Sequence, residues 1–167
     1  MPPLLVHGAE VTVASVDGER VMPLADLFAS PKMNNLGLSE LMTGVRFPVL
    51  PPGSGSSFHR IGRRRGFTLS VVNAAAYIVR SGGTCGTVRI ALGSVAPTPI
   101  RVPEAEEMLI GKKPTPSLIK ELGEAYKGLV SPVDDVRGSA GYRREMAAVM
   151  VTRATRDAWI RAGGGPF

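Results

Sequence analysis

Apolar and polar residues alternate with a period of two in several stretches of this chain and recur at helical spacing in its last third. Glu10 to Ser15 alternates, Val16-Asp17-Gly18-Glu19 is a turn, and Arg20 to Met22 returns, which predicts a hairpin at the Asp17-Gly18 pair. Pro23 to Phe28 fits one short helical piece, Ser30 to Asn35 is polar loop, and Glu40 to Phe47 is a further strand closed by Pro48. Val49 to Ser57 has the composition of a linker or long hairpin loop, so a domain boundary is placed near residue 50. After it, Phe58 to Ile61 is a short strand and Leu69 to Arg80 a longer one. The three alanines Ala74 to Ala76 would also suit a helix. The Gly-rich turn from Ser81 to Gly86, set between two runs of similar length, favours an antiparallel pair instead. From Thr87 to Ala96, Val88, Ile90, Leu92 and Ala96 share one face, and Pro97 and Pro99 then remove ladder donors and end the strand.

Helical signals follow. Pro103 suits the first position of a short helix, Glu104, Glu106 and Glu107 complement its dipole, and Gly111 with Lys112 and Lys113 suits its exit. Thr115 can cap a longer helix whose apolar face is Leu118, Ile119, Leu122, Ala125, Tyr126 and Leu129. Ser139 can cap the last one. There Tyr142, Met146, Val149, Met150 and Ala154 make the expected buried stripe, with Arg143, Arg144, Arg153 and Arg156 solvated. Residues 162–167 are expected to be a disordered tail. The fold class is α+β: an antiparallel sheet of about three strands packed with three helices on one face, preceded by two or three strands.

A length of 167 residues suits one domain, or one plus a fragment. No run approaches the roughly 18 apolar residues of a membrane span, and the N-terminus lacks the pattern of a signal peptide, so a cytoplasmic location is expected. Cys85 stands alone, which excludes an internal disulfide and multi-cysteine metal or iron–sulfur motifs, and in its Gly-rich turn it is expected to be exposed. The net charge of +6 owes much to Arg60, Arg63, Arg64 and Arg65, a cluster suited to an acidic partner. Nucleic acid is disfavoured, since few aromatics are present to stack bases. His7 and His59 lie in no nucleophile–base motif, so no catalytic residue is assigned. Gly53-Ser-Gly55 and Gly111-Lys112 both lack the rest of a phosphate-binding fingerprint. Asp134-Asp135 reads as a turn with Arg137 pairing locally, not as a metal site.

Three motifs in order, Ser70-Val-Val-Asn-Ala-Ala-Ala76, the run from Thr87 to Lys112, and Asp134-Asp-Val-Arg-Gly-Ser-Ala-Gly-Tyr-Arg-Arg144, together resemble the C-terminal domain of the flavin (medium) subunit of molybdenum hydroxylases. That family includes carbon monoxide dehydrogenase and xanthine dehydrogenase. The resemblance implies that residues 1–50 are a remnant of the C-terminal part of an FAD-binding domain and residues 51–161 the flavoprotein C-terminal domain. It also implies roles. Met42 matches an apolar position that touches the isoalloxazine, and Arg60 stands where the family usually has Lys beside the flavin. Thr68 replaces a usual Asp. Arg63, Arg64 and Arg65 fall on a segment that passes the subunit interface and are taken as a docking loop. The family's pyrophosphate loops precede the piece matched here, so FAD is expected only with a partner polypeptide that supplies the N-terminal FAD segment. The implied function is a truncated or split flavin subunit that covers one side of the FAD pocket and docks molybdopterin and iron–sulfur subunits. Self-association through the strand edges between Gly8 and Phe47 is also expected. The alternative is a non-catalytic binding or assembly module that keeps the fold alone.

Overall fold

The computed structural model describes residues 1–64 and 68–166. A helical turn, α1 (Pro2–Val6), opens the chain with proline at its first position, an element absent from the alternation pattern. β1 (Glu10–Ser15) and β2 (Gly18–Pro23) form the expected hairpin, with Ser15 opposite Gly18. A 3-10 turn (Leu24–Leu27) and a small hairpin, β3 (Phe28–Ser30) with β4 (Met33–Asn34), fill the stretch up to residue 34, which includes most of the expected loop. β5 (Leu41–Arg46) returns to the other side of β1, giving the order β2-β1-β5.

The second sheet runs β6 (Ser54–Gly62), β7 (Ser70–Ser81), β8 (Thr84–Gly93) and β9 (Ile100–Arg101), in that spatial order and antiparallel throughout. Three strands are long. The fourth is a two-residue clip on β8 that forms after Pro97 and Pro99 have turned the chain. Next comes α2 (Pro103–Glu106), whose Glu106 does more than complement a dipole. Its buried carboxylate accepts from the Ile90 N–H at 2.7 Å and from Arg101 Nη2 at 2.6 Å, so it satisfies the β8 edge where β9 is too short to do so.

Two assignments from the sequence are corrected in this sheet. The expected linker from Val49 to Ser57 is a strand from Ser54 onward, because its small residues are the ones a close helix requires. A Cβ on Gly55 would lie 2.2 Å from Ala162 N and 2.3 Å from Ala158 O, and Ser57 donates its hydroxyl to Ala154 O at 2.7 Å. Cys85 is fully buried, since β8 begins at Thr84 and carries the cysteine into the core.

α3 (Pro116–Leu129) and α4 (Ala140–Arg161) are capped by Thr115 and Ser139, whose hydroxyls accept from Leu118 N and Tyr142 N. They pack on each other and on the front of the sheet, burying Val72, Ala74, Ile78, Ile90 and Leu92 against Ile119, Leu122, Tyr126, Met150, Val151 and Trp159. The phase of α4 is rotated from the expected one. Arg143, Ala147, Ala154 and Ala158 face inward, while Tyr142 is exposed and Met146 and Val149 lie at the margin. Alanine at the contact lets the helix backbone sit close, and each nitrogen of the buried guanidinium has an acceptor. Leu129, at the end of α3, is likewise exposed.

The back of the sheet is also covered. Ala75, Tyr77 and Ala91 pack against Leu5, Val6, Val11, Val13 and Leu24, so residues before and after position 50 share one apolar layer. The start of the tail expected to be disordered is also anchored: Ala162 is buried, Gly164 N donates to Trp159 O, and Gly163 O accepts from Arg80.

Candidate functional site

The two residues matched to flavin contacts lie on edge strands of different sheets. β5 is an edge of the first sheet, and Met42 sits opposite Val13 just past a bulge in the β1–β5 ladder. The bulge places Met42 and Val45 on the face that carries Val11 and Val13, yet both are about two-fifths exposed because the edge has no further strand beside it. β6 is an edge of the second sheet. There the inward positions are Gly55, Ser57 and His59, the last paired with Asp157 at 2.8 Å, so Phe58 and Arg60 point outward and are exposed. Arg60 stands opposite Asn73 in the ladder.

Of the arginine cluster, Arg63 and Arg64 are exposed beyond the end of β6, and Arg65 lies outside the described residues. Arg63 Nη1 donates to Val136 O at 2.7 Å, which ties this segment to the corner preceding α4. Thr68 keeps its hydroxyl local, donating to Leu69 O at 3.2 Å, and its methyl occupies the space a Cβ on Gly62 would need.

That corner is built by residues of the third motif. Asp134 accepts from the Ala140 N–H at 2.6 Å at the entry to α4. Asp135 accepts from Arg137 through N, Nε and Nη2, as the local pairing predicted, and also from Arg143 Nη2 at 2.5 Å. The Arg137 side chain, its backbone N–H and Arg143 hold the Asp135 carboxyl well below the usual range. Arg143 departs from the expectation of a solvated residue. It is buried, and its Nη1 also bonds Ser94 O at 2.8 Å and Val71 O at 3.2 Å. The spacing of α4 gave no sign of it. The one available signal was its place in the motif that also contains Asp135.

No glycine with positive φ opens a helix among the described residues; such glycines sit in turns or at helix exits, among them Gly53, Gly82, Gly83 and Gly163. No group of three or more His, Cys, Asp or Glu side chains suited to a metal occurs among them either. No helix is long and apolar enough to cross a membrane among the described residues.

A three-stranded and a four-stranded antiparallel sheet, a helix pair on one face of the second and the Asp135–Arg143 corner make up this module. Residues 57–158 match the CO dehydrogenase flavoprotein C-terminal domain, and the chain belongs to that family. It is 34% identical over 164 residues to the carbon monoxide dehydrogenase medium chain of Afipia carboxidovorans, covering 97% of this chain and 56% of the relative. To the xanthine dehydrogenase FAD-binding subunit of Escherichia coli O157:H7 it is 26% identical over 163 residues, covering 97% of this chain and 56% of that one. Among solved structures, carbon monoxide dehydrogenase from Hydrogenophaga pseudoflava superposes with a TM-score of 0.91 at 32% identity, covering 96% of this chain and 55% of that chain. The chain thus spans about half the length of the curated relatives it matches.

Proposed function

We propose that this chain forms one wall of the FAD site in a medium subunit of a molybdenum hydroxylase and docks the subunits that exchange electrons with it. The observation that carries this reading is the collinear similarity along 97% of the chain to the medium chain of a carbon monoxide dehydrogenase. FAD, when bound, supplies the electron-accepting ring. The residues present fit that ring and not its phosphates. Met42 and Val45 offer an exposed apolar strand face suited to a flat aromatic system, and Arg60 offers a cation to polar atoms at its rim. A pyrophosphate needs backbone N–H groups at a helix start, and the positive-φ glycines here lead elsewhere. On this reading the phosphates are held outside these residues, by an N-terminal FAD segment that a partner polypeptide carries. Arg63, Arg64 and Arg65 form the docking loop for that partner or for an acidic face of a molybdopterin or iron–sulfur subunit, with the Asp135–Arg143 corner as its support.

The test compares the chain alone with the chain isolated from its native host. Calorimetric titration of FAD into the isolated chain is expected to show no stoichiometric binding. Material from the host is expected to carry flavin absorbance together with co-purifying subunits. Met42→Glu should lower the flavin content, and Arg64→Glu with Arg65→Glu should release the partners, with the fold retained in both. Micromolar binding by the chain alone overturns the partner requirement, and a host complex without flavin overturns the wall itself.

A further inference from the structure

We propose that the turn around Val136 is a docking site for a partner segment that carries an aliphatic side chain flanked by carboxylates. The inference rests on the docking role assigned above to the neighbouring arginines and adds an apolar anchor to their charge. Asp135 and Gly138 exchange backbone hydrogen bonds, Asp135 N to Gly138 O at 3.3 Å and Gly138 N to Asp135 O at 3.1 Å, which sets Val136 and Arg137 at the two central positions of a tight turn. That turn is held from several directions. The Asp135 carboxylate takes Arg137 and, from α4, Arg143; Asp134 Oδ1 takes the Ala140 N–H at 2.6 Å; and Arg63, beyond the end of β6, donates to Val136 O at 2.7 Å.

The backbone of the turn is pinned, yet the side chain at its tip is given to water: Val136 is 88% exposed. A single exposed aliphatic is ordinary on a protein surface. Here they gather. Val133 is exposed on the approach to the turn, and Leu69 is exposed next to Ser70, the ladder partner of Gly62 beside Arg63. On the far side the half-exposed Tyr142 leans on Gly138, where a Cβ would lie 3.5 Å from its ring. An apolar group carried on a rigid turn gives up little conformational freedom when a partner covers it, which is what a docking anchor requires.

Charge decides the kind of partner. Among the described residues around the tip, the cations are Arg63, Arg64, Arg137 and Arg143 and the carboxylates Asp134 and Asp135, so positive charge is in excess. A segment that sets an aliphatic residue on Val136 brings its flanking residues over exposed Arg63 and Arg64, where carboxylates are favoured and Lys or Arg repelled. An anionic membrane shares part of this chemistry, but recruiting one takes clusters of about four to eight Lys or Arg, and Arg137 and Arg143 are already engaged by Asp135. The protein partner is therefore the reading favoured by the charges.

The test places the photo-cross-linking residue p-benzoylphenylalanine at position 136 of the full chain, illuminates the complex in the native host and sequences the attached peptide. That peptide should come from one co-purifying subunit and hold an aliphatic residue between acidic ones. Val136→Ser should then weaken binding of the same subunit about tenfold, and Val136→Ile should keep it. Val136→Asp should bind more weakly than Val136→Lys, because carboxylates on the partner repel the first and attract the second. No attached peptide, a basic one, unchanged binding by Val136→Ser, or a weaker Val136→Lys each overturns the anchor. So does attachment to a second copy of this chain, or flotation with anionic phospholipid vesicles that Val136→Ser abolishes. Release of the subunits by Arg64→Glu with Arg65→Glu but not by Val136→Ser overturns the anchor and leaves the arginine docking standing; release by neither removes docking at this corner altogether.

Discussion

Replacing Arg143 by methionine isolates what the buried guanidinium contributes, because the unbranched thioether keeps most of the side-chain volume. The change removes the donors to Ser94 O and Val71 O and one of the cations that face Asp135. Leaving a buried acceptor unpaired costs about 1–3 kcal/mol, so two such carbonyls set the loss near 3 kcal/mol. Asp135 adds little, since it keeps Arg137 and a quarter of its surface is in water. The total stays below the full penalty for stranding a buried charge, about 3–5 kcal/mol. With a urea m-value of about 2 kcal/mol/M, the midpoint should fall by about 1.5 M. Arg144→Met, next along the helix and exposed, is the control and should move stability by no more than about 0.5 kcal/mol. Equal midpoints for the two variants would refute the buried network as a source of stability.

Cys85 should be inert, since its side chain is fully buried and burial pushes the thiol up to about 11; reaction with a thiol reagent at mild pH should be far slower in the native chain than in denaturant, and equal rates would contradict the β8 placement. Glu40 is held down to about 2 by hydrogen bonds from Arg20 and then from the Gly37 N–H. A depressed carboxylate stabilises the fold above its ordinary value near 4.5 and loses that contribution as the pH falls through 2. Urea melts should therefore place the wild type above Glu40→Gln near neutral pH, with the gap closing below the ordinary value and shrinking in salt, because the pair is partly exposed.

Where a residue's role depended on its neighbours along the chain, the sequence was readable. The alternation in Glu10 to Ser15 and the paired runs around Ser81 to Gly86 became strands, and Thr115 and Ser139 became caps, because period and capping are local properties. Roles fixed by distant contacts were not. Gly55 and Ser57 have linker composition, and only the nearness of α4, some hundred residues later, explains why they are small. Arg143 and Glu106 carry charge and so read as surface, yet each is buried by partners that no spacing reveals. Of the candidate site, the sequence marked Met42 and Arg60 through resemblance, and their exposure follows from strand order, which a linear pattern does not contain.

α4 is fastened at both extremities, and this gives it a mechanical character. Near its start Arg143 bolts it to Val71, Ser94 and Asp135; toward its end Ser57 and His59 hold Ala154 and Asp157, and Arg161 reaches Ser56 O. A helix of 22 residues is about 33 Å long at 1.5 Å per residue. Clamped in this way it acts as a strut: it can shift as one piece with the sheet, but it has no hinge about which to swing. Load applied where Arg63 meets Val136 would pass through the corner into that strut, and from it through Ser57, His59 and Arg161 to the whole length of β6.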